Sequence, residues 1–182
     1  MNSKEKPQAT ATRRQVIAGL TVGAATVGTA GAARNAVESI NRSRESILQE
    51  VEFKVPPERL YAALTDEKQF QKVVLLSAAM QSGKVKEAPP ARIAVAAGGG
   101  FSIFGGFVSG RQIELIPNMR IVQAWRPADW PAGVYSIARF DLVGQGAGTL
   151  LRFEQIGFPQ GQAEHLAQGW RLNYWEPLEK SL

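Results

Sequence analysis

The segment that decides the fold is the last one, GQAEHLAQGWRLNYWEPLEKSL, which covers residues 161–182. Its apolar side chains recur every three or four residues, so they share one broad face of an α-helix. That face carries Ala163, Leu166, Ala167, Trp170, Tyr174 and Leu178, with Leu172 and Trp175 at its flank. Because each aromatic ring buries about 150–250 Å², we expect this helix to lie on a broad concave surface. Pro177 lacks an N–H and predicts a kink or an early end in the last turn.

Alternation of apolar and polar residues predicts β-strands in much of the preceding chain. Ile47–Val55 alternates throughout, with Val51 and Phe53 on the predicted buried side. Six further strand-length segments lie between turns rich in glycine and proline. They are Ala91–Ala97, Phe101–Phe104, Phe107–Ile116, Met119–Arg126, Val134–Val143 and Thr149–Ile156. These spacings predict an antiparallel sheet of about seven strands.

Two short helices are predicted after the first strand. Pro57 with Glu58 beside it is a favourable first helical turn. Asp66, followed three residues later by Gln69, matches the capping box of a second helix, and Met80–Pro90 is predicted to be a loop. The predicted fold class is therefore α+β, in which a curved antiparallel sheet surrounds one long C-terminal helix.

The N-terminal residues predict export. Residues 1–32 contain Arg13 and Arg14, then an uncharged run of small and apolar residues that ends in a small-x-small cleavage pattern. The arginine pair resembles a twin-arginine signal, which places the protein in the periplasm or outside the cell. The alternatives are an uncleaved membrane anchor and a disordered tail. We expect residues 33–46 to form a polar tether and residues 47–182 to form the domain.

Charge and composition exclude several classes of function. Residues 1–33 hold four of the 21 basic and one of the 16 acidic residues, so the net charge falls from +5 to +2 from Arg34 onward. Without a clustered basic face or a nucleic-acid motif, we expect no nucleic-acid binding. The chain has no cysteine, which excludes disulfides and thiolate metal sites.

A series of short motifs, in one order and spacing, resembles a known family. The motifs are Phe101-Ser102-Ile103-Phe104-Gly105-Gly106, Val108-Ser109-Gly110, Leu115-Ile116-Pro117, Trp125-Arg126, Trp130-Pro131-Ala132-Gly133, Gly157-Phe158-Pro159 and Gly169-Trp170 with Tyr174-Trp175. Over residues 47–182 the chain resembles the C-terminal domain of activators of heat-shock protein 90 ATPase, within the birch-pollen-allergen-like or START-like (SRPBCC) superfamily. The resemblance implies a helix-grip fold, in which the sheet holds the C-terminal helix. In that family the eukaryotic activator carries a separate N-terminal domain that binds the chaperone, so the activity does not follow from the resemblance.

The motifs of the common enzyme classes are missing from the sequence. Its glycines match neither a P-loop nor a dinucleotide-binding turn, and Ser109 is not in a Gly-x-Ser-x-Gly elbow. His165 is predicted to be a solvated helix residue, and it could act as a general base only if a substrate lay against that end of the helix. No group of His, Asp and Glu has the spacing of metal ligands. We therefore expect no catalytic residues, metal or cofactor.

Two strands and the last helix suggest a ligand cavity. Polar side chains lie among large apolar ones on predicted inward faces, as in many small-molecule pockets. The candidate ligand-binding residues are Gln123, Trp125, Phe153, Gln155, Trp170 and Tyr174, with Trp130 at a pocket rim or a partner contact. The alternatives are a filled core in which both glutamines bind backbone or water, or an inward face formed instead by Val122 and Ala124.

The predicted function is the binding of a small hydrophobic ligand or of a protein partner in or near that cavity. Two other functions stay open at this point. One is a pocket enzyme of the cyclase or hydrolase kind found in the superfamily, and the other is a chaperone cofactor that acts through the outer surface of the sheet.

Overall fold

The computed structural model describes residues 45–83 and 89–182. The predicted export signal, with Arg13 and Arg14, lies outside the described residues, and so does the tether up to residue 44. No helix in the described ranges is long and apolar enough to cross a membrane.

The described residues form one antiparallel sheet of seven strands, which confirms the predicted fold class. The strands are β1 (Ser46–Phe53), β2 (Arg92–Ile93), β3 (Gly100–Ile103), β4 (Val108–Ile116), β5 (Arg120–Pro127), β6 (Ser136–Gln145) and β7 (Gly148–Ile156). Their order across the sheet is β1-β7-β6-β5-β4-β3-β2. The sheet is thus a meander from β2 to β7, to which the first strand adds at the far edge.

The second predicted strand is much shorter than the sequence suggested. Alternation predicted Ala91–Ala97, whereas only Arg92 and Ile93 pair with β3. The chain then turns at Gly98, whose backbone has φ +79° and whose N–H donates to the carbonyl of Gln112 at 2.7 Å. A left-handed conformation of this kind favours glycine, so the glycine run forms a loop that pairs with β4 instead of extending β2.

Three short helices follow the first strand, one more than predicted. They are α1 (Pro57–Thr65), α2 (Glu67–Leu76) and α3 (Ala78–Gln81). The carboxylate of Asp66 accepts the N–H of Gln69 at 2.9 Å, which confirms the predicted cap of α2. Ser77 caps α3 by accepting the N–H of Met80 at 3.3 Å, so this part of the predicted loop is helical.

The C-terminal helix covers residues 163–181 and contains a wide turn. It consists of α4 (Ala163–Trp170), a π-helical turn (Arg171–Trp175) and α5 (Glu176–Ser181). Contrary to the prediction, Pro177 does not end the helix. The irregularity lies before it, where the N–H of Glu176 donates to the carbonyl of Arg171, five residues back. A wide turn of this kind changes which side chains face the core, and here both Tyr174 and Trp175 are buried.

The core lies between the C-terminal helix and the inner face of the sheet. Trp170 is buried among aromatic rings, with its centroid 4.3 Å from Phe153, 4.2 Å from Tyr174 and 5.3 Å from Trp125. Ile121 and Leu151 are fully buried on the same side, so the predicted inward face of each strand is correct. The outer face is charged, and Asp141 there forms ion pairs with Arg120 and Arg139.

Candidate functional site: an aromatic cleft beside the C-terminal helix

An open cleft of about 190 Å³ lies between the first half of the C-terminal helix and the loops at one end of the sheet. Most of its walls are aromatic or aliphatic side chains, which is typical of small-molecule sites. The lining residues are Ala79, Phe104, Phe107, Val108, Trp125, Pro127, Asp129, Trp130, Gln162, His165, Leu166, Gly169, Trp170, Asn173 and Tyr174. Four of the residues singled out in the sequence, Trp125, Trp130, Trp170 and Tyr174, therefore meet at one cleft.

Hydrogen bonds hold the tryptophan of the β5–β6 loop in the wall of this cleft. The guanidinium of Arg126 donates to the carbonyl of Trp130 at 2.6 Å, and the indole N–H of Trp130 donates to Gln162 at 2.8 Å. The ring packs edge to face on Trp125, with the centroids 5.8 Å apart. Only 4 % of Trp130 is exposed, and its ring forms a wall of the cleft.

The inner end of the cleft carries a buried phenol. The indole N–H of Trp125 donates to the hydroxyl oxygen of Tyr174 at 3.3 Å, and the phenol ring is flanked by Phe70 and Phe104 at centroid distances of 5.7 and 5.4 Å. Burial among these rings raises the pKa of Tyr174 well above its usual value of 10.0, because the phenolate would lose its hydration there. The hydroxyl therefore stays protonated at neutral pH.

The mouth of the cleft is formed by side chains that are partly in water. Phe107 is 49 % exposed, and Asp129 and His165 are also exposed. His165 is solvated, as the sequence predicted, although it lies at the rim of the cleft. The cleft therefore has a mostly apolar interior and a mouth that is partly in water.

Asn173 joins the helix to α3 beside the cleft. Its side-chain oxygen accepts the N–H of Ala79 at 2.9 Å, and its amide nitrogen donates to the carbonyl of Gly169 at 3.0 Å. Both ends of this amide are therefore used, which fixes the wall of the cleft. Gly169 lines the cleft, and a Cβ placed on it would meet nothing within 4 Å outside its own stretch of helix, so a larger side chain has room at this position.

Two of the predicted ligand-binding residues lie outside the cleft, in the packed core behind Trp170. Gln155 is fully buried and accepts the indole N–H of Trp170 at 2.6 Å, while its amide nitrogen donates to Ser136 at 2.8 Å. Phe153 is buried and packs on the same indole. The sequence placed both on the cavity surface. In the structure both residues lie behind Trp170 and do not line the cleft. The side-chain amide of Gln155 is already hydrogen-bonded to Trp170 and Ser136.

Gln123 lies in a different place again. It borders a separate space of only about 10 Å³, which Ile121, Phe140 and one side of Tyr174 also line. Its amide nitrogen donates to the side-chain oxygen of Gln112 at 3.3 Å. A space of about 10–15 Å³ holds one water molecule at most, so Gln123 is not in a position to anchor a ligand in the cleft.

Several lining residues were not predicted from the sequence. Phe104 and Phe107 flank Gly105 and Gly106 in a tight turn, and Phe104 itself has φ +50°. Two aromatic residues around a glycine pair were the signal that the sequence offered. In the described part of the chain, no group of three or more His, Asp and Glu side chains is placed to hold a metal ion.

Comparisons with known proteins agree with this architecture. Residues 54–182 match the family model described as "Activator of Hsp90 ATPase homolog 1-like protein". The human activator of 90 kDa heat shock protein ATPase homolog 1 is 27 % identical over 129 residues, which cover 71 % of this chain and 34 % of that protein. An uncharacterized protein of Schizosaccharomyces pombe is 38 % identical over 88 residues, or 48 % of this chain and 26 % of that one. The chain thus spans between 22 % and 34 % of the length of the curated relatives it matches.

Solved structures share the same fold. A crystal structure of an HSP90 activator from Plasmodium falciparum aligns with a TM-score of 0.64 at 25 % identity, over 74 % of this chain and 94 % of that one. CalU16 from Micromonospora echinospora aligns with a TM-score of 0.60 at 20 % identity, over 76 % of each chain, and at that identity it supports the fold alone. The match of the family model to 129 residues covers most of the domain. The chain belongs to the Activator of Hsp90 ATPase homolog 1-like family.

Proposed function

We propose that this domain binds a small apolar molecule in the aromatic cleft. The observation that supports the proposal is an open space of about 190 Å³, walled by Trp125, Trp130 and Trp170, in a core that is otherwise closely packed. Transfer of an apolar ligand from water to such walls is favourable by about 25 cal/mol for each Å² that becomes buried. The walls are also held by hydrogen bonds, so little ordering accompanies binding.

The volume limits the size of the ligand. An engineered apolar cavity of about 150 Å³ binds benzene, whereas pockets for drug-sized ligands are usually about 300–1,000 Å³. A cleft of about 190 Å³ therefore suits a single substituted ring, and a larger ligand would extend through the mouth past Phe107.

Gly169 provides a direct test of the site. Gly169→Leu places a side chain into the open space of the cleft, and Gly169→Ala is the matched control because it makes the same change in helix propensity with only one added carbon. We expect both variants to be as stable as the wild type or more so, since glycine inside a helix costs about 0.5–1 kcal/mol relative to alanine. The probe is ethylbenzene, titrated into ¹⁵N-labelled protein while the indole N–H signals of Trp125 and Trp130 are followed.

In this titration the wild type and Gly169→Ala should show saturable shifts of these signals, and Gly169→Leu should show none. Saturable shifts that persist in Gly169→Leu would place the ligand elsewhere. An absence of saturable binding in the wild type would contradict the proposal itself.

We propose further that the protein is exported by the twin-arginine route. This proposal rests on the sequence, namely Arg13 and Arg14 before a weakly apolar run. Export would separate the domain from any cytosolic ATP-driven chaperone. The relatives' names describe the activation of a heat-shock protein ATPase. Because of the proposed export, we propose that activity for this chain only as an alternative, in which the domain binds a protein partner.

A protein partner of this kind would contact Phe107. Trp130, which the sequence predicted at a pocket rim or a partner contact, is buried, whereas Phe107 is half-exposed at the mouth of the cleft. Exposed aromatic residues beside a pocket are frequent anchors of protein interfaces. Phe107→Ser should abolish the capture of a protein partner and leave the binding of ethylbenzene deep in the cleft within about threefold of the wild type.

A further inference from the structure

The hydroxyl of Tyr174 has a hydrogen-bond donor that no described residue accepts. Its oxygen accepts the indole N–H of Trp125, and among the described residues the hydroxyl donates no hydrogen bond of its own. A phenol has one donor and two acceptor positions. In a buried setting an unused donor is costly, so this proton is available to a ligand.

The contacts of Tyr174 place its hydroxyl toward the cleft. Tyr174 borders both the cleft and the small space beside Gln123. Trp125, whose indole N–H donates to the hydroxyl, lines the cleft and does not line the small space. These contacts indicate that the hydroxyl faces the inner end of the cleft, where the leading end of an entering ligand would arrive.

The remaining polar groups of the cleft favour a neutral ligand that accepts a hydrogen bond. The indole N–H groups of Trp125 and Trp130 are already donated to Tyr174 and Gln162. Among the described lining residues there is no lysine or arginine, and the carboxylate of Asp129 lies at the mouth. A carboxylate ligand would find no lysine or arginine and would meet the negative charge of Asp129 at the mouth, which disfavours it, whereas a carbonyl would remain neutral.

We propose that Tyr174 is the specificity-determining residue of the cleft, and that its O–H donates to the carbonyl oxygen of a neutral, one-ring aromatic ligand. The proposal rests on the proposed function, since it names the class of ligand that the same cleft takes. The ligand ring would lie against Trp125 and Trp170, and its carbonyl would point inward. This donated bond leaves the existing bond from Trp125 intact, because the two use different sides of the hydroxyl.

Acetophenone and ethylbenzene test this inference because they have nearly the same shape and differ by a carbonyl in place of a methylene. We expect Tyr174→Phe to weaken acetophenone binding about three- to tenfold, the usual range for one net hydrogen bond of about 0.5–1.5 kcal/mol. Ethylbenzene should bind the wild type and Tyr174→Phe equally. Tyr61→Phe is the matched control, because Tyr61 is a buried tyrosine outside the cleft, and both affinities should be unchanged in it.

The outcomes separate the inference from the proposed function. Saturable binding of both probes with no loss for acetophenone in Tyr174→Phe would overturn the role of Tyr174 and leave the cleft as a ligand site. Binding of neither probe to the wild type would overturn both proposals.

A second measurement keeps the inference testable if Tyr174→Phe does not fold. The infrared carbonyl stretch of ¹³C-labelled acetophenone is recorded on the wild-type protein. Donation from the phenol should move the band of the bound ligand to lower wavenumber than in hexane. A bound band at the hexane position would show that the carbonyl accepts no hydrogen bond in the cleft, and would overturn the inference without any variant.

Discussion

The indole nitrogen of Trp170 donates a 2.6 Å hydrogen bond to the side-chain oxygen of Gln155, and both residues are almost completely buried. The amide nitrogen of Gln155 donates in turn to Ser136, whose hydroxyl donates to the carbonyl of Trp125. This chain of bonds runs from the C-terminal helix through β7 and β6 to β5. It fixes the position of the helix on the sheet, and with it the width of the cleft between Trp170 and Trp125.

Gln155→Leu should destabilise the domain by about 1–3 kcal/mol, because it leaves the indole N–H of Trp170 buried without an acceptor. The matched control is Gln168→Leu, on the exposed side of the same helix, for which we expect a change within about 0.5 kcal/mol. Urea unfolding followed by tryptophan fluorescence measures both. Similar midpoints for the two variants would mean that the buried hydrogen bond contributes little.

Trp170→Ala should cost about 3–5 kcal/mol, since it removes the ring at the centre of the aromatic core. Arg171→Ala, one residue further along, should change stability by no more than about 0.5 kcal/mol. Arg171 is exposed, and its ion pair with Glu176 at 3.3 Å is of the surface kind that contributes little. Chemical denaturation of the two variants compares them, and equal losses would contradict the assigned faces of the helix.

The stability of the domain should fall as the pH rises above 10. Burial raises the pKa of Tyr174 and also that of Tyr61, so each folded tyrosine keeps its proton at a pH where the unfolded chain has lost it. The folded state then binds more protons, and the free energy of unfolding decreases with pH, by at most about 1.4 kcal/mol per unit for the buried Tyr174. The decrease begins near the unfolded pKa of about 10.

Tyr174→Phe should make that decrease less steep than in the wild type. The measurement is urea unfolding at several pH values between 9 and the onset of alkaline unfolding, in both proteins. Parallel curves for the wild type and Tyr174→Phe would show that the phenol ionises equally in the folded and unfolded states.

Export should depend on Arg13 and Arg14. In the native host we expect the mature protein to begin near Ala33 and to be found outside the cytoplasm, because the arginine pair precedes a weakly apolar run. Replacement of both arginines with lysine should leave the precursor inside the cell. Cell fractionation and N-terminal sequencing check this, and full-length protein found only in the cytosol would contradict the export proposal.

The fold was predictable because its signals are local. Alternation placed the main strands, and the spacing of Trp170, Tyr174 and Leu178 placed the helix that the sheet holds. The shortened β2 was not predictable in the same way, since alternation in Ala91–Ala97 does not reveal that Gly98 turns the chain toward β4. The wide turn in the last helix also has no local signal. It allows Trp175 to pack on Phe140 and Phe153, which lie on strands that precede the helix in the chain.

The candidate site was only partly predictable, for a different reason. Large aromatic residues on inward faces were sufficient to indicate Trp125, Trp170 and Tyr174. The sequence does not distinguish a glutamine that is free to hydrogen-bond a ligand from one that is already hydrogen-bonded within the protein. Gln155 was therefore assigned to the cavity surface, although its hydrogen-bond partners are Trp170 and Ser136. Phe107 was missed as a cleft residue because the mouth is assembled from loops far apart in the chain.

The wide turn at residues 171–175 makes the spacing of the buried residues longer than a regular helix allows. In an α-helix, two residues five apart point about 140° away from each other, yet the rings of Trp170 and Trp175 stack with an interplanar angle of 17°. The turn absorbs one additional residue, as π-helical insertions do, so that the eight steps from Trp170 to Leu178 occupy the phase of a heptad. The loss of one residue within 171–175 would therefore restore a regular helix while both of its ends keep their places on the sheet, and we expect the length of related chains to vary at this point.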